Sequence, residues 1–195
     1  MWDQPFSTVR RAKPGHGLTS EGGESMDDLN ATLSEVLCNR YAANLARGRD
    51  LAASLAEKQF WTKPYPYGNS FGHLVLHLTG NLNYYIGAQI ANTGYVRDRE
   101  HEFTDSNPPS KPDALRQLDA AVRMAMQTIR GQSMASWSKA YSALGTNCSN
   151  RLDIVLQCAA HMQHHIGQMI YLEYELRRQQ ETAEPSGFPG RTVSS

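Results

Sequence analysis

The sequence predicts an all-α fold, a four-helix bundle with one long connection, on three observations. Apolar residues recur at helical spacing in four long segments. No segment alternates with the two-residue period of a strand, and turn-forming residues cluster in the gaps. Four amphipathic helices without a sheet can bury their stripes only against one another.

The first helix is expected from about Asp27 to Phe60, with Leu29, Leu33, Val36, Leu37, Tyr41, Leu45, Leu51 and Leu55 on its stripe and a bend or break expected at Gly48. Lys63-Pro64-Tyr65-Pro66-Tyr67-Gly68 reads as a turn-rich connection. Asn69 or Ser70 then caps a second helix reaching about Asn92. In it, Gly80 and Gly87 are expected to permit a close helix approach. A polar connection, Thr93 to Pro109, contains the alternating run Arg97-Asp98-Arg99-Glu100-His101-Glu102-Phe103, expected to be a solvated face. Its length leaves simple up-down-up-down order open. The third helix starts at Ser110 with Pro112 in its first turn and carries Leu115, Leu118, Val122, Ala125 and Ile129. Gly131 to Cys148 fits no single pattern, and the fourth helix runs from about Asn150 to Gln180.

Residues 1–25 hold Pro5, Pro14, Gly15, Gly17, Gly22 and Gly23 without an apolar stripe, and are expected to be a flexible tail. Met26 stands directly before the first periodic segment, so translation is expected to start at either Met1 or Met26. A second flexible tail is expected at 182–195, leaving 26–181 as one helical domain.

Nineteen Lys and Arg balance nineteen Asp and Glu in 195 residues. That neutrality removes the basic footprint of a nucleic-acid binder. No run is long and apolar enough to span a membrane. Three cysteines (Cys38, Cys148, Cys158) without a CxxC pair argue for a reducing compartment, with the cytoplasm as default, and against a disulfide framework or a cysteine-based zinc site. Cys158 reads as a small buried hydrophobe.

The informative residues are histidines. The fourth-helix stripe follows Ile154, Cys158, His161, His165, Met169, Leu172 and Leu176, so two imidazoles at i and i+4 share the buried face. On the second helix the stripe Leu74, His77, Asn81, Tyr84, Ala88 places a third imidazole inward. Two imidazoles one turn apart reach one ion but cannot surround it. A third from a facing helix completes a three-histidine site with positions left open for water or substrate. His77, His161 and His165 meet that requirement if the second and fourth helices are neighbours. The alternative is a metal-free bundle whose histidines are core hydrogen-bonders. His73, Asn81, His164 and Gln168 are candidates for supporting or substrate contacts, Gln168 as a group orienting a ligand. No acid or base stands out beside the histidine pair; Tyr84, Tyr85 and Glu173 are no more than guesses from the sequence. No Glu lies between His161 and His165, so the zinc-protease motif is absent.

The segment His161-Met162-Gln163-His164-His165-Ile166-Gly167-Gln168, together with Asn69-Ser70 through His77-Leu78-Thr79-Gly80-Asn81, resembles the paired signature of the DinB/YfiT-like metalloproteins. Arg97-Asp98-Arg99-Glu100 with Glu102-Phe103, and Lys63-Pro64, resemble a subgroup of small bacterial members. The resemblance spans about 28–178. It implies a four-helix bundle with a divalent ion on His77, His161 and His165: zinc or nickel first, manganese or iron next. It also implies a homodimer, and a metal-dependent enzyme of thiol S-transferase or hydrolase type acting on a small molecule such as a low-molecular-weight thiol. The alternative function is a non-catalytic metal-binding or stress-response interaction protein. Ile166 departs from the Arg that many members carry before the Gly-Gln pair.

Overall fold

The computed structural model describes residues 26–183, so the tail expected at 1–25 and most of the one expected at 182–195 lie outside the described residues. Four long helices form the bundle: α1 (Met26–Ala53), α3 (Phe71–Leu82), α5 (Lys111–Arg130) and α7 (Arg151–Ala183). Three short ones, α2 (Glu57–Trp61), α4 (His101–Thr104) and α6 (Met134–Trp137), sit in the connections. Among the described residues no strand forms; one isolated bridge pairs Ala140 with Asn150.

Side-chain contacts fix the helix directions. Tyr41 donates to Val155 O, Asn44 to Ala159 O and Ser54 to Glu173 Oε1, so α1 and α7 run parallel. Asn30 donates to Gln132 O and Arg49 to Asp119 Oδ1, so α1 and α5 are antiparallel. α3 packs against α5 and α7; its first turn lies at Trp61, beyond the end of α1, and the turn that follows it meets Tyr141, shortly before α7 begins, so it runs opposite to α1. The order is therefore up-down-down-up. Two successive helices pointing the same way require a return crossing, and residues 89–110 supply it. This is the physical reason for the long connection in the sequence.

Helix ends follow local chemistry. Ser70 Oγ accepts from the His73 backbone N–H, and His73 Nδ1 accepts from the Ser70 N–H, a reciprocal cap. Ser110 caps α5, with Pro112 in the first turn where its missing N–H costs nothing. Asn150 Oδ1 accepts from Asp153 N–H at the start of α7. The expected break at Gly48 does not occur. α1 continues through that position because Gly48 lies against Ile166, where a Cβ would sit 3.2 Å from Cδ1. The helix ends instead near Ser54, and α2 crosses the end of the bundle. There Phe60 and Trp61 rest on Gly72, where a Cβ would meet the indole at 2.4 Å.

The second helix also departs from expectation. Regular α-helix stops at Leu82, and Asn83–Ala88 widen into a π-helical turn. α7 in turn runs three residues past the expected Gln180. The core fills the space between all four long helices with Tyr41, Phe60, Phe71, Leu78, Leu82, Ile129, Met162 and Met169 fully buried. Each such side chain stabilises the fold by about 1.5–3 kcal/mol on transfer from water.

Candidate metal centre

α3 and α7 are neighbours, and their inward stripes bring His77, His161 and His165 together. His161 Nε2 lies 3.0 Å from His77 Nε2 and 3.2 Å from His165 Nε2, and the three candidate ligand atoms fall within 4.8 Å of one another. His77 is buried; His161 and His165 are half-buried.

The far nitrogen of each outer ring decides its tautomer. His77 Nδ1 is 2.8 Å from Glu102 Oε2 and 3.2 Å from Arg97 Nη2. An ionised carboxylate only accepts, and Glu102 is the nearer neighbour, so the imidazole hydrogen sits on Nδ1 and donates to Oε2, leaving Nε2 with a lone pair. His165 Nδ1 donates to Gln168 Oε1 at 2.7 Å, and its Nε2 is likewise an acceptor. One hydrogen on His161 Nε2 cannot satisfy both neighbours fully, and with the other tautomer three lone pairs face one another. Protonation does not relieve this at neutral pH: burial, then the adjacent His165 and His77 rings, push the His161 imidazole down to about 4. Burial also lowers His165. A convergent set of neutral imidazole acceptors is the donor chemistry of a borderline divalent cation. A tetrahedral ion with Zn–N near 2.1 Å would set its nitrogens roughly 3.4 Å apart, close to the spacing here. The residues present fit the group.

Around this centre is a buried carboxylate–histidine arrangement that sequence reasoning missed. Arg97 Nε donates to Glu102 Oε1 at 2.7 Å and Nη2 to Oε2 at 2.9 Å, a two-pronged pair. Burial raises the Glu102 carboxyl, but the hydrogen bonds from His77 and Arg97 outweigh it and hold the group below the ordinary range. The run 97–103 is thus only in part a solvated face: Asp98, Arg99, Glu100 and His101 are exposed, while Arg97, Glu102 and Phe103 turn inward. Asp98 Oδ1 accepts from His101 N–H and starts α4, which turns Glu102 inward and lays Phe103 on the His77 ring. Gly80, expected to admit a neighbouring helix, admits this carboxylate instead: a Cβ there would stand 2.0 Å from Glu102 Oε1. The available signal was a carboxylate in a long connection beside a helix whose inward histidine is followed, one turn on, by glycine.

The supporting candidates separate. Gln168 bridges His165 to the exposed His164. His73 is not brought to the cluster; it caps α3 and lies edge-on to Trp61. Glu173 pairs with Ser54 and Arg177, away from the histidines. Asn81, one turn beyond His77, is 7% exposed, and its Oδ1 has no hydrogen-bond partner.

A cavity of about 540 Å³ opens beside the histidines, bounded by α3, the π-helical turn, the return crossing, residues 144–146 and α7. Asn81, Tyr84, Tyr85, Arg97 and Arg99 contribute polar groups to its wall, and Leu144 and Ile154 contribute apolar ones. Tyr85 closes one side by donating to Leu144 O and Gly145 O. Gly145, at φ 84°, turns tightly enough to bring that loop over the phenol. Cys158 also faces the cavity, but burial pushes its thiol up to about 12, so it is no nucleophile at neutral pH.

Among curated proteins no match to the chain was found. Among protein families, residues 40–169, about two thirds of the chain and all three histidines, match the DinB superfamily. The chain belongs to the DinB superfamily.

Proposed function

We propose that this protein is a divalent-metal-dependent enzyme of thiol S-transferase or hydrolase type. His77, His161 and His165 hold the ion, and the adjacent cavity receives the small-molecule substrate. The observation that carries this reading is the convergence of three imidazole acceptors on the wall of an open cavity. A bound zinc or nickel ion would supply a positive charge that lowers the pKa of a thiol or water brought to it.

The chain's own residues do the rest. Glu102, fixed by Arg97, orients the His77 ring and keeps its hydrogen on Nδ1. Gln168 does the same for His165. Ile154 and the Tyr85-held loop wall one side of the cavity. Cys158 stays protonated, so the reacting sulfur or oxygen comes from the substrate side.

One observation favours a second reading, a non-catalytic metal-binding protein. Both oxygens of Glu102 are committed to Arg97 and His77, and no Asp or Glu lines the cavity among the described residues. Elemental analysis of untagged protein, purified without chelator, tests the shared premise. Wild type is expected to carry about one ion per chain, and folded His77→Ala and His161→Ala/His165→Ala variants none. A wild-type protein that stays empty with micromolar zinc, nickel or manganese would refute it. Turnover of a thiol-acceptor pair by the loaded protein then separates the enzyme from the binder.

A further inference from the structure

α7 has an outer face that the bundle does not use. Residues 154–172 hold no Asp, Glu, Lys or Arg, yet Leu156, Ala160, Gln163, Ile170 and Tyr171 among them are exposed. The exposed sides of the neighbouring helices are charged within every two turns, by Glu35, Arg40 and Arg47 on α1 and by Arg116, Arg123 and Arg130 on α5. Steps of three and four join Leu156, Ala160, Gln163, Gly167, Tyr171 and Tyr174 into one stripe turned away from the core.

Gly167 singles this face out. At Gly48, Gly72, Gly80 and Gly87 an added Cβ would come within 3.2 Å of a side chain of this fold, so each glycine makes room for a neighbour. At Gly167 it would meet nothing within 4 Å. Glycine weakens a helix, and nothing among the described residues requires it at that position. The face is also large. Tyr171 and Tyr174 are 73% and 67% exposed, beside Leu156 at 50% and Ile170 at 39%. With Ala160 and Gln163 the stripe leaves on the order of 800 Å² uncovered, the area each partner contributes to an interface of standard size. Interface cores share this composition, rich in tyrosine and depleted of charge.

We propose that this face of α7 binds a second copy of the same chain, the two α7 helices packing antiparallel. Charge and shape select that occupant. A face without charge pairs with a surface without charge, and α7 itself presents one. Its small residues, Ala160 and Gly167, lie ahead of its large ones, Tyr171 and Tyr174, so reversing one copy sets large against small. Ala160 then faces the partner copy's bulky end, and the backbone at Gly167 is free to approach closely. No residue of the stripe belongs to the histidine cluster, so the inference stands apart from the enzyme reading.

Sedimentation velocity on untagged full-length protein across micromolar concentrations, with and without zinc, tests it. Wild type is expected at twice its chain mass of 21.7 kDa. Ala160→Lys and Tyr171→Glu, each placing its charge in the interface twice, are expected to weaken association about thirtyfold or more, the loss an interface hot spot brings, with helicity unchanged. Mixed one to one, the two variants are expected to regain a dimer, because antiparallel packing sets the lysine of one against the glutamate of the other. Gly167→Ala is expected to weaken the dimer while making the monomer harder to unfold. A wild type that stays monomeric at its highest soluble concentration would overturn the proposal. So would a dimer that tolerates both charge variants, or one that both disrupt and that does not re-form on mixing.

Discussion

α7 buries polar groups along two of its seams and treats them differently. Against α1, the Tyr41 hydroxyl and the Asn44 amide N–H reach across to backbone carbonyls of α7, so both donors are met. Against α3, the polar groups are imidazoles whose lone pairs face one another, and Asn81 Oδ1 has no partner. The requirement is the same in both places, since a polar group removed from water needs a counterpart. Where the chain supplies the counterpart the seam is sealed, and where it does not the seam has room for something else. Charge follows the same division: the bidentate Arg97–Glu102 pair lies on the open seam, packed against His77.

Breaking the open seam at its support should have the largest effect. Glu102→Ala strands Arg97 and the His77 Nδ1 hydrogen together. Removing one partner of such a pair costs about 3–5 kcal/mol, and losing the group that orients a ligand histidine lowers metal affinity about 10–100-fold. Denaturant melts and competitive chelation read the two effects separately. Gly80→Ala comes next. Alanine is favoured over glycine in a helix by about 1 kcal/mol, yet here its Cβ drives Glu102 out of place. A net loss of about 1–3 kcal/mol with weakened metal binding is expected, and a stabilised variant would show that Glu102 is not seated there.

Acid sharpens the contrast in the metal-free protein. His161 titrates near 4 when folded and near 6.5 when unfolded, so unfolding takes up a proton between those values. Stability contributed by the neutral ring is therefore present above about 6.5 and is lost as the pH falls towards 4. The metal-free melting temperature should drop across that window, and the metal-loaded one at least as steeply, because protons compete with the ion for the same nitrogens. The sealed seam gives a smaller response. Tyr41→Phe removes one hydrogen bond to Val155 O and should cost about 1 kcal/mol in denaturant melts without changing metal content. Gln168→Ala, at an exposed side chain, should change stability within about 0.5 kcal/mol and metal affinity by a few-fold.

The bundle and its clustered histidines were legible because both are written in helical period. Steps of three and four along Ile154, Cys158, His161, His165 and Met169 state which face is buried, and His77 repeats the statement on another helix. Glu102 was illegible for the corresponding reason. It lies in a connection, where charge alternation without a period signals solvent, and its burial comes from Gly80, twenty-two residues earlier, leaving space for it. The break after Ala53 was misplaced to Gly48 because glycine is a weak helix former. Contact with Ile166 in α7, invisible in a local pattern, decided that position instead. The π-helical turn at Asn83–Ala88 left no mark in the apolar stripe, and so the two tyrosines of the cavity wall could only be named as candidates.

The up-down-down-up path also sets the order in which the centre can assemble. His161 and His165 are four residues apart and meet as soon as α7 is helical. Glu102 reaches His77 by closing a span of 25 residues, and His77 reaches His161 only across 84. Loop-closure entropy makes the longer span roughly 1 kcal/mol more costly than the shorter. A refolding full-length chain thus completes the histidine pair first, supports the third ring second and joins the two last. Metal present during refolding meets a two-point site before a three-point one, and the final joining step is where it gains the most hold.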